Sequence, residues 1–201
     1  MNDHYYTRVP GSASRPVACE YTYRGIPLSF MTDAGVFSKG EVDTGTRLLL
    51  EALPEEMHGE ILDLGCGWGV IGIAAARRWP DCRVTMADVN TRALELSREN
   101  AKRNGAAVSC VESDGMEALA GRTFDAVITN PPIRAGKQVI YRMFADAAGS
   151  LAPGGALYLV IRKQQGAESC VKYLGTLFGE VEKLEKSGGF WVLRARNPRE
   201  D

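Results

Sequence analysis

Short apolar runs alternate with amphipathic stretches along most of this chain. The apolar runs, which predict buried strands, lie at residues 61–64, 82–88, 107–112, 124–130 and 156–161. The stretches with helical spacing lie at residues 46–53, 70–79, 91–104, 137–151 and 166–178. Strands that alternate with helices form a parallel sheet covered on both faces. The pattern therefore predicts an α/β, doubly wound fold.

Both ends of the chain depart from this alternation. Residues 1–18 are polar and rich in proline, glycine and serine, which predicts an N-terminal arm. A small hairpin is expected in residues 19–31, and a second one ends the chain at 180–186 and 190–196. We expect residues 19–201 to form a single domain, because a chain of 201 residues is of ordinary size for one.

Composition and charge narrow the class of protein. Hydrophobic residues make up 45% of the chain and charged residues 24%, as in globular proteins, and the net charge of −1 gives no overall basic signature. The five cysteines form no C-x-x-C pair, so neither a disulfide framework nor a metal site is expected. We therefore expect a cytoplasmic protein, without a membrane segment because no run of 18 apolar residues occurs.

A glycine-rich turn follows the strand predicted at 61–64, in the stretch Asp-Leu-Gly-Cys-Gly-Trp-Gly at 63–69. Glycines let a ligand approach the backbone closely, and the following helix offers unpaired N–H groups at its start. The stretch 67–72 also fits G-x-G-x-x-G, with Asp88 about 20 residues further on, which alone would indicate a dinucleotide. However, Asp63 suits a cationic ligand better than a pyrophosphate. The stretch resembles motif I of class I S-adenosylmethionine (SAM)-dependent methyltransferases, which favours SAM as the cofactor.

Candidate ligands for the cofactor follow the ends of four predicted strands. They are Asp63, Gly65, Cys66, Gly67 and Gly69 at the first, Asp88 and Val89 at the second, Asp114 and Gly115 at the third, and Asn130 at the fourth. The carboxyl ends of parallel strands meet at one edge of a sheet, where ligands bind. Three carboxylates there favour a ligand rich in hydroxyl and amino donors.

The predicted catalytic residues are Asn130, Pro131, Pro132 and Ile133, which resemble motif IV of methyltransferases acting on amino nitrogens. An exocyclic amine of a base is a weak nucleophile, because its lone pair is delocalised into the ring. The side-chain oxygen of Asn130 and the carbonyl of Pro131 could accept hydrogen bonds from the two N–H groups of the amine. These bonds would direct the lone pair of the amine at the methyl group. Proline presents these groups rigidly. No strong base is required, since the amine loses its proton readily once it is methylated.

A second glycine-rich stretch, residues 35–45, carries Phe37 and Lys39. Its Gly-Val-Phe-Ser, followed by Asp-x-Gly, resembles the loop that precedes the SAM domain in RsmC-like guanine-N2 methyltransferases of small-subunit ribosomal RNA. The resemblance extends over nearly the whole chain and implies a single-domain form with a mostly parallel seven-stranded, Rossmann-like sheet. It also implies that the loop 35–45 covers the cofactor, with Phe37 in contact with it.

The resemblance further implies roles for single residues. Asp63 would help to place the methionine amino group, Asp88 would hold the ribose hydroxyls, and Asp114 would accept from the adenine amine. The fourth position of motif IV is often aromatic in this family, so with Ile133 here another ring, such as Phe37, would stack on the target base. The longer ribosomal enzymes carry an additional N-terminal domain, so we expect local cations to hold RNA in this chain. The candidates are Lys39, Arg134 and Lys137, followed by Arg142, Arg162 and Lys163.

The sequence thus predicts a SAM-dependent N-methyltransferase for guanine in ribosomal RNA or in the small ribosomal subunit. Its oligomeric state and target nucleotide stay open. Adenine-N6 transfer and transfer to a protein glutamine remain alternatives, because both use N-P-P motifs. Two further alternatives belong to other classes. One is an NAD-dependent oxidoreductase, which is disfavoured because the chain shows no evident proton-transfer pair. The other is a non-catalytic RNA-binding module, and the intact Asp63, Asp88 and Asn130 argue against it.

Overall fold

The computed structural model describes residues 15–33 and 40–199. Its strands are β1 (Val17–Tyr23), β2 (Ile26–Thr32), β3 (Glu60–Leu64), β4 (Arg83–Asp88), β5 (Val108–Glu112), β6 (Phe124–Thr129), β7 (Leu151–Arg162), β8 (Phe178–Ser187) and β9 (Phe190–Pro198). Its α-helices are α1 (Thr44–Ala52), α2 (Val70–Arg78), α3 (Thr91–Arg103), α4 (Lys137–Gly149) and α5 (Ala167–Leu177). Single 3-10 turns lie at Glu117–Leu119, Ile133–Ala135 and Lys163–Gln165.

The predicted doubly wound, mostly parallel sheet is confirmed. Over the described ranges, seven strands form one sheet in the order β5-β4-β3-β6-β7-β9-β8. The five strands from β5 to β7 in that order are parallel neighbours, whereas β9 runs antiparallel to both β7 and β8. The hairpin of β1 and β2 forms a separate small sheet. No helix in the described part of the chain is long and apolar enough to cross a membrane.

The core consists of two apolar clusters, one on each face of the sheet. Alternate strand residues point to opposite faces, so that Ile61 belongs to the cluster under α1, α2, α3 and the hairpin, while Leu62 belongs to the cluster under α4 and α5. Both side chains are fully buried, as the continuous apolar run of β3 predicts. Because the two clusters cover the faces of the sheet, its carboxyl edge is where the strand ends and the loops meet.

Two asparagines, Asn100 of α3 and Asn104 at the C-cap of that helix, hold the hairpin against the main domain. Asn100 accepts a hydrogen bond from the Met31 N–H over 2.7 Å and donates to the Met31 carbonyl over 2.9 Å. Asn104, one helical turn later, does the same for Ser29, over 2.9 and 2.8 Å. The two amides act toward β2 as a neighbouring strand would. Asn100 also donates to the carbonyl of Trp68, which ties the hairpin to the glycine-rich turn.

Three of the predicted boundaries differ from the observed ones for an identifiable reason. Strand β1 begins at Val17, inside the stretch assigned to the arm, because it pairs with Thr32; the rest of the predicted arm, residues 1–14, lies outside the described residues. Helix α1 begins at Thr44, because Asp43 caps it. Strand β7 begins at Leu151, because the chain bulges between two pairings with β6.

Candidate active site

A cavity of about 260 Å³ lies at the carboxyl edge of the sheet, between the ends of β3, β4, β5 and β6 and the helices α1 and α4. Ten of the residues predicted for the site line it: Gly65, Cys66, Gly67, Asp88, Val89, Asp114, Gly115, Asn130, Pro131 and Pro132. The tertiary structure therefore brings together four strand ends that are far apart in the sequence, as the rule for parallel sheets leads one to expect.

The other predicted site residues do not line this cavity. Phe37 and Lys39 lie outside the described residues. Gly69 begins α2 at φ +94°, and a Cβ there would come within 3.0 Å of Ile73 and 3.1 Å of Ser97, so this glycine serves close packing. Ile133 packs against the apolar cluster under α4 and α5. Arg134 and Lys137 lie at the surface beside the cavity.

The glycine-rich turn gives the cavity a backbone wall. Gly65 and Gly67 adopt φ of +73° and +55°, which favours glycine at both positions. The N–H groups of Gly65 and Cys66 both donate to the Ala87 carbonyl, over 2.8 and 3.0 Å, and fix the turn to β4. A Cβ on Gly67 would meet no protein atom within 4 Å. The turn thus leaves open space where a ligand can approach the main chain.

The Asp88 carboxylate is held by the backbone on both oxygens. Oδ2 accepts from the Gly67 N–H and Oδ1 from the Asn90 N–H, each over 2.8 Å. Burial raises the pKa of Asp88, and the backbone N–H groups of Asn90, Gly67 and Val89 oppose that rise. Each carboxylate oxygen has two lone pairs, so the carboxylate keeps acceptor capacity for a ligand hydroxyl.

Asp63 lies fully buried behind the turn. Its Oδ2 accepts from the Gly72 N–H over 2.8 Å, whereas its buried Oδ1 has no hydrogen-bond partner. Burial is the main cause that raises the pKa of Asp63 to about 7, and the charge of Asp88 adds to the rise. A buried carboxyl with an unpartnered oxygen is costly, and a cationic group bound beyond the glycine turn would offset part of that cost.

Asp114 meets a cation at the far end of the cavity. Its Oδ1 is paired with the guanidinium of Arg142, a residue of α4 that also lines the cavity. Arg142 was among the cations considered for RNA, but the structure places it in the cavity wall. The pair links the loop after β5 to α4, and Asp114 remains about half exposed, with a relative side-chain exposure of 53%.

The side chain of Asn130 is oriented by two residues at the start of α1. Its Nδ2 donates to Thr46 Oγ1 over 2.9 Å and lies 3.3 Å from Asp43 Oδ2. Asp43 in turn caps α1 by accepting from the N–H groups of Gly45 and Thr46, over 2.9 and 3.2 Å. Because these contacts engage the nitrogen of the amide, its oxygen is the atom left to accept from a ligand.

Sequence reasoning missed several residues of the cavity wall. Those with a direct bearing on its chemistry are Asp43, Thr46 and Arg142; Val42, Trp68, Val139 and Met143 add apolar surface. Asp43 carried a recognisable signal, since Asp is a preferred N-cap residue and its side chain accepts from the N–H groups two and three residues later. The contact of Thr46 with Asn130 joins residues 84 positions apart and has no signal in a single sequence.

The described residues contain no group of three or more His, Cys, Asp or Glu side chains placed to hold a metal ion. The Cys66 thiol, which lines the cavity, is buried, and burial together with the charge of Asp88 holds its pKa well above the ordinary value. The thiol is therefore protonated and contributes packing and shape to this part of the cavity wall.

Comparison with known proteins places these features in a family. The model of the methyltransferase small domain matches residues 27–194. The chain is 42% identical over 199 residues to the Bacillus subtilis protein YbxB, covering 98% of this chain and 99% of that one. It is 37% identical over 177 residues to the ribosomal RNA small subunit methyltransferase C of Ectopseudomonas mendocina, covering 85% of this chain and 51% of that protein.

Further similarities concern a large-subunit enzyme and a solved structure. The chain is 33% identical to the ribosomal RNA large subunit methyltransferase G of Pseudomonas putida, covering 95% of this chain and 52% of that one. The 16S rRNA N2 guanine methyltransferase RsmC of T. thermophilus, solved with AdoMet and guanosine, superposes with a TM-score of 0.82 at 29% identity, over 94% of this chain and 52% of that chain. The chain thus spans about half the length of the ribosomal RNA methyltransferases that it matches.

Proposed function

The chain belongs to the methyltransferase small domain family, and from this premise we propose that it transfers a methyl group from SAM to the exocyclic N2 amine of a guanine in ribosomal RNA. The observation that carries the transfer of a methyl group to an amine is the oriented amide of Asn130 at the wall of a cavity that also presents Asp88 and Asp114. Two relatives that match over 177 and 198 residues are named as ribosomal RNA methyltransferases.

The shape and polarity of the cavity support SAM as the cofactor. Along the edge of the sheet the wall presents Asp114 after β5, Asp88 at the end of β4 and the glycine turn after β3. In this order we assign them to the adenine amine, the ribose hydroxyls and the methionine part. Asp63, with its unpartnered buried oxygen, would compensate the positive charge of the cofactor through the turn. SAM would supply an electrophilic methyl group carried by a sulfonium.

Asn130 and Pro131 would bind and orient the amine that receives the methyl group. With Nδ2 of Asn130 engaged by Thr46 and Asp43, the side-chain oxygen faces the ligand as an acceptor. The Pro131 carbonyl would be the second acceptor, so that the two N–H bonds of the amine fix its plane and direct its lone pair. Catalysis would then rest on proximity and on preorganised dipoles. His58 lies before β3, at the opposite edge of the sheet, and takes no part.

The choice of guanine in ribosomal RNA rests on the relatives rather than on the cavity. The T. thermophilus enzyme, which superposes with a TM-score of 0.82, was solved with guanosine, and this favours guanine over adenine or glutamine. A second candidate, guanine in large-subunit ribosomal RNA, is favoured by the match to methyltransferase G over 95% of this chain. We propose the cytoplasm as the compartment, because ribosomal RNA would be the substrate.

Methyl transfer from tritiated SAM tests the function directly. Small-subunit and large-subunit ribosomal RNA, naked and in particles, would be offered separately, and the labelled nucleosides would be identified. N2-methylguanosine is the expected product. N6-methyladenosine, or label on protein alone, would replace the proposal by one of the alternatives. Calorimetry with SAM and with NAD would test the cofactor separately, and tight binding of NAD without binding of SAM would overturn both assignments.

A variant of Asn130 links the product to the site. Asn130→Ala is expected to lower the methylation rate by roughly two to three orders of magnitude, as for the loss of one preorganised polar group, and to leave SAM affinity within a few-fold. Asn130→Asp keeps the shape and an acceptor, but its charge would face Asp43. It should therefore retain reduced activity. Wild-type rates in Asn130→Ala would remove this residue from the proposed mechanism.

A further inference from the structure

The hairpin of β8 and β9 lies at the same edge of the sheet as the cavity, on the side of Asn130. Thr129, which precedes Asn130, is level with Leu159 of β7. Strand β7 continues for three more residues to Arg162, which pairs with Phe190 at the start of β9. The sheet order places β7, β9 and β8 beyond β6, away from β4 and β5. The end of this hairpin therefore borders the substrate side of the proposed site.

Cations contact aromatic rings on both faces of this hairpin end. The Arg162 guanidinium lies 4.7 Å from the centre of the Phe190 ring. The ammonium groups of Lys183 and Lys186 lie 4.2 and 5.4 Å from the centre of the Trp191 ring. Residues three apart in a regular strand point to opposite faces. A register shift between Lys183 and Glu185 brings both lysines to the Trp191 side.

Charge is separated along the hairpin. Toward its open end, Glu180 pairs with Arg196 over 2.7 Å and Glu182 with Arg194 over 2.5 Å, so these charges compensate one another. Toward the turn, the charged residues are Arg162, Lys163, Lys183 and Lys186 against the single acid Glu185. These four cations are exposed, and none of them makes an ion pair within 4.0 Å among the described residues. A local basic surface thus exists although the net charge of the chain is −1.

The Phe190 side of this surface reaches the proposed site through α1. A Cβ on Gly45 would come within 3.0 Å of the Phe190 ring. Gly45 donates its N–H to Asp43, whose other oxygen lies 3.3 Å from the Asn130 nitrogen. Gly45 and Asp43 therefore lie between the Phe190 ring and the Asn130 amide. A chain bound along the hairpin end would be positioned next to Asn130.

We propose that the hairpin tip, formed by Arg162, Lys163, Lys183, Lys186, Phe190 and Trp191, binds the single-stranded RNA that flanks the target nucleotide. The inference rests on the proposed function and assigns its RNA-docking surface. Unpaired cations neutralise phosphates, and aromatic faces beside them accept bases or sugars without regard to sequence. Target guanines that must leave a stack need such contacts to the flanking backbone. The fold supplies the surface next to the site that would receive the base.

A pair of charge-reversal variants tests the hairpin tip. Lys183→Glu/Lys186→Glu is compared with Lys102→Glu/Arg103→Glu, which makes the same change in charge at the exposed end of α3, at the opposite edge of the sheet. Affinity for a single-stranded RNA oligonucleotide would be measured by fluorescence anisotropy over a range of salt concentrations. The hairpin variant should bind at least about tenfold more weakly, and its log Kd against log salt should lose about 0.7 in slope per phosphate contact removed.

Methylation kinetics and folding controls complete the test. In the hairpin variant the KM for RNA should rise, while kcat at saturating RNA and the affinity for SAM stay within about twofold, because neither lysine touches the reacting atoms. Lys183→Gln/Lys186→Gln, which keeps most of each side chain over Trp191, should weaken binding to a smaller extent. Thermal unfolding of each variant would verify that the hairpin is intact.

The possible outcomes separate this inference from the proposed function. Equal weakening in both charge-reversal variants, or in neither, would overturn the docking surface while leaving methyl transfer by the wild type unaffected. A preference of the hairpin tip for an acidic protein over RNA would overturn it as well. If the wild type methylates no ribosomal RNA, the proposed function is wrong, but the anisotropy comparison still decides whether the hairpin tip binds RNA.

Discussion

The amide nitrogen of Asn130 donates a hydrogen bond to the hydroxyl of Thr46 over 2.9 Å, which joins the loop after β6 to the start of α1. The Thr46 hydroxyl in turn donates to the carboxylate of Asp43. The chain of donors runs in one direction, so the oxygen of the Asn130 amide cannot exchange places with its nitrogen without facing Asp43. Thr46 is thus a positioning residue for the proposed reaction.

Two replacements of Thr46 distinguish the role of its hydroxyl from that of its methyl group. Thr46→Val keeps the shape and removes the nearer acceptor of the Asn130 nitrogen, leaving only its longer contact with Asp43. The value of kcat should therefore fall about tenfold, the equivalent of about 1.4 kcal/mol. Thr46→Ser keeps the hydroxyl and should retain a rate within about threefold of the wild type. SAM affinity and KM for RNA should change little in either variant. Equal rates in the two variants would show that the hydroxyl does not orient Asn130.

Removal of the Asp88 carboxylate should weaken cofactor binding. If its free lone pairs accept the ribose hydroxyls, Asp88→Ala should cost about 1.5–3 kcal/mol in binding of both SAM and its demethylated product, as charged hydrogen bonds do. Isothermal calorimetry measures both affinities. Asp81→Ala, at an exposed carboxylate before β4, is the matched control and should leave both unchanged. An Asp88 variant that binds like the wild type would place the ribose elsewhere.

The buried Asp63 should make stability depend on pH. Burial is the main cause that raises its pKa from the ordinary value of 3.8 to about 7, so between these values the folded state binds more protons than the unfolded state. The free energy of unfolding therefore falls as pH rises from about 4 to 7. At 1.36 kcal/mol per pKa unit the loss approaches about 4 kcal/mol at pH 7.

Asp63→Asn removes this titration while keeping an acceptor for the Gly72 N–H. Urea denaturation of both proteins from pH 4 to pH 8 gives the comparison. The stability of the wild type relative to the variant should fall from pH 4 to about pH 7 and then level off. A constant difference between the two proteins would contradict a raised pKa for this carboxyl.

Replacing each of two helical glycines by alanine should change the stability of the protein in opposite directions. A Cβ on Gly72 of α2 would lie 2.4 Å from Met86 Cγ, so Gly72→Ala should force α2 away from β4 and cost about 1–3 kcal/mol of stability. A Cβ on Gly175 of α5 would meet no atom within 4 Å beyond its chain neighbours and the backbone of its own helix, and Gly175→Ala should stabilise by about 0.5–1 kcal/mol. Thermal or chemical denaturation measures both changes. Similar values for the two variants would mean that α2 adjusts without cost.

The sequence by itself determined the alternation of strands and helices and the strand ends that carry the site. Apolar runs such as the one before Asp63 specify buried parallel strands, and the topology of such sheets brings their carboxyl ends to one edge. That rule was sufficient to place Asp88, Asp114 and Asn130 around one cavity, as the structure confirms. Motifs contiguous in the chain could be recognised because their chemistry and their spacing are local.

Only the tertiary structure decided which distant side chains complete the site. Thr46 meets Asn130, and Arg142 meets Asp114, because packing of α1 and α4 brings them within hydrogen-bond distance. Lys183 and Lys186 share the Trp191 ring because a bulge changes the strand register. Gly69 proved to be a packing glycine, since the contact of α2 with its neighbours leaves no room for a side chain. These relationships depend on helix placement and strand register. Both are set by the packing of the whole core, so they have no local signature in a single sequence.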